Sequence, residues 1–115
     1  MAPMLVFGVD GKLSMVVGSP GGNAIINYVA KTLVGVLDWK RDIQQAAALP
    51  NMGSRNRATE LERGSTLERL APQLRAMGHE VQIGNSASGV HGITISTEGL
   101  SGGADPRREG SAMGD

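Results

Sequence analysis

The segment best suited to chemistry is Gly-Ser-Pro-Gly-Gly at residues 18–22, where a strand-like pattern changes to a helical one. The N-terminus of a helix presents unpaired N–H groups and the positive end of the helix dipole. Glycines there let an anion, or the oxyanion of an acyl transfer, approach without a Cβ in the way. Gly21 and Gly22 are therefore candidate oxyanion donors. The alternative is a tight strand-to-helix turn with no ligand, because isolated Gly-rich motifs are common.

Two phosphate-binding motifs do not fit this segment. A Walker loop requires Gly-Lys-Ser/Thr after the glycines, but Asn-Ala-Ile follows at 23–25. A dinucleotide-binding loop requires three glycines in a fixed spacing that Gly18, Gly21 and Gly22 do not have. We therefore expect no bound cofactor.

Histidine and carboxylate side chains do not form a metal-binding pattern. His79 and His91 are the two histidines, and neither has a second ligand at metal-binding spacing. A solvated or structurally bonded imidazole is the better interpretation of each, so we expect no metal. The glutamates are interpreted as a solvated face rather than an acid/base pair; they are Glu60, Glu62, Glu68 and Glu80.

The hydroxyl side chains give no candidate nucleophile. Ser14, Ser19 and Thr32 have no His or Lys partner at a motif spacing. Arg107 and Arg108 could bind a carboxylate, but their position in a polar, turn-like segment favours a solvated turn.

Composition indicates one globular domain with a modest core. The chain has 115 residues, of which 40% are hydrophobic and 19% charged. Eleven basic and eleven acidic residues cancel, which argues against a nucleic-acid partner. No apolar run is long enough for a membrane span, and the first residues lack the order of a signal peptide.

Hydrophobic periodicity predicts the elements that would position the glycines. Two β-rich runs flank Asp10-Gly11 and predict a hairpin over residues 4–19. The pattern over 23–38 predicts a helix that is apolar around most of its circumference. The residues that form its main apolar stripe are Ile26, Val29, Leu33, Val36 and Leu37, and those that widen the stripe are Ile25, Thr32 and Val34.

The remainder of the chain predicts further helices and strands. Asp42 is a candidate N-cap for a helix that Pro50 ends. After a polar loop come a short strand at 59–62 and a helix at 65–77 with a Ser65–Glu68 capping box. Pro72 either kinks that helix or begins a second one. Strands follow at 79–83, 90–96 and near Leu100.

The predicted fold class is α+β, with helices packed on a mainly antiparallel sheet. We expect a single domain over residues 1–104 and a polar C-terminal tail over 105–115.

The order of these pieces resembles the C-terminal part of the gamma-glutamyltransferase (gamma-glutamyltranspeptidase, glutathione hydrolase) small subunit. The resemblance rests on MAP at the start, GSPGG before a helix ending in VLDW, then GHEV and GADPRREGSAMG. It implies part of the αββα four-layer sandwich of the N-terminal nucleophile hydrolases. The implied reaction transfers the gamma-glutamyl group of glutathione, or of a related amide, to water or an amino acid.

The resemblance also assigns roles. It implies that Gly21 and Gly22 supply backbone N–H groups to the oxyanion. The nucleophile, an N-terminal threonine whose own amine is the base, lies upstream in the family, as does a Ser-Ser pair that helps hold the substrate. The segment after Leu49-Pro50 departs from the Pro-Arg-x-His stretch of many members.

Several expectations about partners follow from the resemblance. The partners would be the rest of the enzyme chain and a gamma-glutamyl substrate, in a periplasmic or extracellular location. The isolated chain would lack activity. We also expect it to self-associate as a homo-oligomer, because the helix at 23–38 is apolar over too much of its circumference for one small sheet to cover. The alternative function is a non-catalytic binding or interaction domain that keeps the scaffold.

Overall fold

The computed structural model describes residues 2–114. The strands are β1 (Met4–Phe7), β2 (Leu13–Gly18), β3 (Met52–Gly53), β4 (Thr59–Glu62), β5 (Val81–Gly84), β6 (His91–Ser96) and β7 (Gly99–Ala104). The α-helices are α1 (Ile25–Leu37), α2 (Ile43–Ala48) and α3 (Ala71–Ala76), and 3-10 turns span Gly22–Ala24 and Thr66–Leu70. Two compact units result: one is the chain up to Leu49 and from Ser88 onward, and the other is Pro50–Ala87.

The first unit is an antiparallel sheet with α1 and α2 on one face. Its strand order is β1-β2-β6-β7, and the predicted hairpin at Asp10-Gly11 joins β1 to β2. Met15, Val17 and Ile43 are buried in its core. The close approach of α2 requires glycine in the sheet, because a Cβ at Gly103 would lie 2.8 Å from the backbone nitrogen of Gln44. The predicted α+β class is confirmed.

The opposite face of this sheet carries exposed apolar side chains. Leu5, Val16 and Ile93 form one cross-strand row, and Leu5 is 55% and Ile93 45% exposed. Gly102 continues the row, and a Cβ there would lie 2.6 Å from the Cβ of Ala112. The C-terminal segment therefore contacts this face.

Helix α1 buries part of the predicted stripe, because Val29 is buried and Leu33 and Val36 pack against the core. Ile25, Val29 and Thr32 are buried, whereas Ile26 is 75% and Leu37 45% exposed. The prediction was wrong at these two positions because a helix apolar on most sides does not reveal which side the sheet covers.

The second unit has its own three-stranded sheet, in the order β3-β4-β5. Strands β3 and β4 are antiparallel, but β4 and β5 are parallel, and Leu61 and Val81 pack with Ala71 of α3. Pro72 lies in the first turn of α3, which decides between the two alternatives for the predicted helix. The predicted strand at 59–62 is confirmed, and the short β3 was not predicted.

The predicted domain limits, 1–104 and 105–115, stay a prediction. Asp105 is buried, with 1% of its surface exposed. Among residues 2–114, no helix has the length and apolar character that crossing a bilayer requires.

Candidate active site

The two candidate glycines lie at the start of helix α1, as predicted. Gly21 caps the 3-10 turn Gly22–Ala24, which runs directly into α1 at Ile25. The carbonyl of Gly21 accepts a hydrogen bond from the N–H of Ala24 at 3.1 Å. Within residues 2–114, the N–H groups of Gly21 and Gly22 have no hydrogen-bond partner. Both are free to bind an acceptor.

Both positions require glycine, but for different reasons. Gly21 has φ 138°, and a Cβ there would lie 2.6 Å from Cε2 of Tyr28. Gly22 has φ 57°, and a Cβ there would meet no atom within 4 Å. The tyrosine ring therefore closes the space beside Gly21, while Gly22 faces open space from which a reacting group can approach.

A buried serine supports the turn from below. Ser19 is 1% exposed, and its hydroxyl donates to the carbonyl of Pro20 at 2.7 Å. The same oxygen accepts a hydrogen bond from the N–H of Gly89 at 3.3 Å. A Cβ at Gly89 would lie 2.9 Å from Pro20 and 2.7 Å from Arg108, so these three residues pack closely.

The segment around Gly89 is in turn held by one buried carboxylate. Asp105 Oδ2 accepts from the Ser88 hydroxyl at 2.6 Å and from the Val90 N–H at 3.2 Å. Its Oδ1 accepts from the backbone N–H of Arg107 at 3.0 Å and from the guanidinium at 2.9 Å. Burial alone would raise the pKa of Asp105, but the hydrogen bonds from Ser88 and Arg107 outweigh it and hold that pKa below the usual value of an aspartate.

The interpretation of Arg107 as part of a solvated turn was wrong. Its side chain is only 15% exposed, and it donates to the carbonyls of Ala47, Ala48 and Leu49 at the end of α2. Lys31 donates to two of the same carbonyls, at 3.0 and 2.9 Å. Two cations thus satisfy the negative end of α2. No local sequence pattern predicts these hydrogen bonds from Arg107 and Lys31 to the end of α2.

The hydroxyls considered as nucleophiles bond to backbone carbonyls. Ser14 donates to Val6 at 3.1 Å and Thr32 to Tyr28 at 2.9 Å, as Ser19 does to Pro20. Among the residues that the structure describes, none of the three bonds to a histidine or to a lysine ammonium group. In the part of the chain that the structure describes, no three His, Asp or Glu side chains group as metal ligands.

An open groove of about 890 Å³ lies on the exposed face of the first unit's sheet. Val16 and Ile93 form part of its floor, and Arg108 and Met113 of the C-terminal segment line it. The groove reaches Pro20 but does not include the two glycines.

The family model for gamma-glutamyltranspeptidase matches residues 1–115. The chain belongs to this family. It is 32% identical over 110 residues to the glutathione hydrolase proenzyme of Escherichia coli (strain K12), covering 93% of this chain and 19% of that protein. It is 30% identical over 115 residues to the acylase ACY 1 proenzyme of Pseudomonas sp. (strain V22), covering 98% and 20%. The chain thus spans about a fifth of the length of these curated relatives.

Solved structures of gamma-glutamyltranspeptidases have the same fold. The enzyme from Pseudomonas nitroreducens complexed with L-DON superposes with a TM-score of 0.87 at 25% identity, covering 100% of this chain and 62% of that chain. The Helicobacter pylori T380A mutant gives 0.84 at 27% identity, covering 94% and 61%. The predicted relation to the N-terminal nucleophile hydrolases is confirmed.

Proposed function

We propose that this chain is the C-terminal segment of a gamma-glutamyltransferase and that Gly21 and Gly22 form its oxyanion hole. The observation that carries the proposal is the pair of N–H groups without a partner at the start of α1, in a chain of this family. Donors that are fixed before reaction stabilise developing charge without reorganising, which is why such a site accelerates acyl transfer.

The chemistry divides between this segment and the rest of the enzyme. An N-terminal threonine outside this segment attacks the gamma-carbonyl carbon, and its own α-amine accepts the hydroxyl proton. The carbonyl oxygen gains negative charge and binds the N–H groups of Gly21 and Gly22. The C–N bond then breaks, and the leaving amine takes the proton. Water or an amino acid attacks the resulting ester and releases the gamma-glutamyl product.

The rest of the enzyme is the proposed partner of the exposed apolar sheet face. Leu5, Ile93 and Leu100 are 55%, 45% and 72% exposed, which is typical of a surface that further chain covers. The curated relatives named above are bacterial. We place the complete enzyme in the periplasm or outside the cell, following the family.

A second acyl donor is favoured by one observation. The acylase relatives match this chain at 30% and 29% identity, close to the 32% of the glutathione hydrolase. The same oxyanion hole would serve any amide. Comparing a gamma-glutamyl anilide with the anilide of the same acyl chain lacking the α-amine distinguishes the two donors. Turnover of neither, by the complete enzyme, supports a non-catalytic binding or interaction domain.

The test replaces Gly22 by valine in the complete enzyme. We expect kcat to fall by on the order of 100-fold while KM changes by only a few fold, because the donor acts mainly on charge in the transition state. Gly11→Val is the matched control, since Gly11 has φ 75° and open space around it but lies in the distant hairpin turn. An unchanged kcat in Gly22→Val would refute the proposal.

A further inference from the structure

The N–H of Gly21 belongs to a peptide group whose other end is held by a buried side chain. That group joins Pro20 to Gly21, and the Ser19 hydroxyl donates to its carbonyl oxygen at 2.7 Å. A trans peptide group is planar, so its C=O and N–H point in opposite directions. A hydrogen bond that fixes the direction of the carbonyl of Pro20 therefore also fixes the direction of the N–H of Gly21.

We propose that Ser19 is a positioning residue that aims the N–H of Gly21 at the reacting carbonyl oxygen. This inference rests on the proposed function and assigns it a residue that does not itself touch the substrate. Ser19 is 1% exposed, so its hydroxyl lies on the buried side of the peptide group. The N–H of Gly21 consequently points away from the core, and Gly21 is itself exposed.

The hydroxyl of Ser19 is itself held in one orientation. Its oxygen accepts the N–H of Gly89, which leaves its proton for the carbonyl of Pro20. The residues on each side of Gly89 both bond to Asp105 Oδ2, so Gly89 has little freedom to move. A rigid chain of contacts thus runs from the buried carboxylate to the candidate donor.

The bond to Pro20 also strengthens the donor. Hydrogen bonds in series polarise one another, so a carbonyl that accepts a bond makes the N–H of the same peptide group a better donor. Loss of the hydroxyl would free the peptide group to rotate and would weaken the donor, without removing it. We therefore expect a smaller effect than the deletion of a donor.

The test compares Ser19→Ala with Ser14→Ala in the complete enzyme. Ser14 is the matched control because it also donates to a backbone carbonyl, that of Val6, but away from the glycine turn. The pre-steady-state burst of aniline released from a gamma-glutamyl anilide gives the acylation rate constant. We expect Ser19→Ala to lower it about tenfold, below the loss for a deleted donor, with KM within twofold. Ser14→Ala should stay within twofold of wild type.

A spectroscopic measurement reports the peptide group directly. Labelling proline carbonyls with carbon-13 and glycine nitrogens with nitrogen-15 selects the Pro-Gly peptide groups of the enzyme, of which Pro20-Gly21 is the sole one within these 115 residues. Gly21→Ala identifies the resonance by removing it. The nitrogen-15 chemical shift of Gly21 should change in Ser19→Ala and stay at its wild-type value in Ser14→Ala.

The outcomes separate this inference from the proposed function. A normal acylation rate in Ser19→Ala, or equal losses in the two serine variants, overturns the role of Ser19. If Gly22→Val is slow while Ser19→Ala is normal, only this inference fails; a normal Gly22→Val overturns the oxyanion hole itself. Should Ser19→Ala not accumulate, Ser19→Cys replaces it, since the thiol has similar size but donates weakly. It should slow acylation several-fold, and an unchanged rate would overturn the proposal.

Discussion

Replacing Asp105 by asparagine should destabilise the chain by about 3–5 kcal/mol. The carboxylate accepts four hydrogen bonds, two on each oxygen. If the asparagine oxygen keeps the two bonds from Arg107, its NH₂ group must face Ser88 and Val90. The Ser88 hydroxyl can rotate to accept, but the buried N–H of Val90 then meets another donor, which costs about 1–3 kcal/mol. The loss of charge beside the nearly buried guanidinium of Arg107 accounts for the rest.

Equilibrium urea denaturation of Asp105→Asn, followed by circular dichroism, measures this loss. Asp38→Asn is the control, because Asp38 is exposed at the end of α1 and should change the free energy of unfolding by no more than about 0.5 kcal/mol. A loss below about 1 kcal/mol in Asp105→Asn would contradict this expectation. It would show that the hydrogen bonds and ion pair of Asp105 barely offset the free-energy cost of burying the carboxylate.

The difference in unfolding free energy between wild type and Asp105→Asn should depend on pH. The pKa of Asp105 is lowered in the folded state, so the carboxylate stabilises the fold above its unfolded pKa, near 4. That contribution is lost as the pH falls through the lowered pKa. The stability gap between wild type and Asp105→Asn should therefore be constant near neutral pH and narrow below about pH 4. A gap that is the same at pH 7 and at the lowest pH where both proteins fold would contradict this assignment.

The isolated chain should form dimers or larger species by light scattering at micromolar concentration, because its exposed apolar sheet face favours association; a monomer would disprove this. It should also hydrolyse a chromogenic gamma-glutamyl anilide no faster than the background rate without protein. Turnover by the purified chain would show that it contains its own nucleophile. Gly103→Ala should cost more than about 2 kcal/mol in urea denaturation, because its Cβ would meet the backbone of Gln44. Gly102→Ala meets only Ala112 of the C-terminal segment and should cost less; equal losses would contradict the packing described.

The features that could be predicted from sequence are those set by local chemistry. The hairpin at Asp10-Gly11 follows from turn geometry, and Asp42 forms a complete capping box with Gln45. The start of α1 at the glycines follows from a change of period that is visible within a few residues. At Ser65 the capping box is only partly formed, since Glu68 accepts from Gly64 instead of from the cap residue.

The features that could not be predicted depend on distant contacts. Arg107 bonds to carbonyls 58 to 60 positions away in the chain, and no periodicity encodes such a pairing. The parallel pairing of β4 with β5 and the separate second sheet likewise arise from packing across the intervening helix. The sequence excludes Ser19 as a nucleophile but does not reveal that its oxygen accepts the N–H of Gly89, 70 positions away.

The Asp105–Arg107 pair has a consequence for how this fold can evolve. The chain leaves the first unit after Leu49 and returns to it at Ser88. Arg107 donates a hydrogen bond to the carbonyl of Leu49, and Asp105 accepts one from the hydroxyl of Ser88. The two residues of one ion pair therefore bind both the residue where the chain leaves the first unit and the residue where it returns. The excursion between them can then gain, lose or exchange residues while its two stems stay in place.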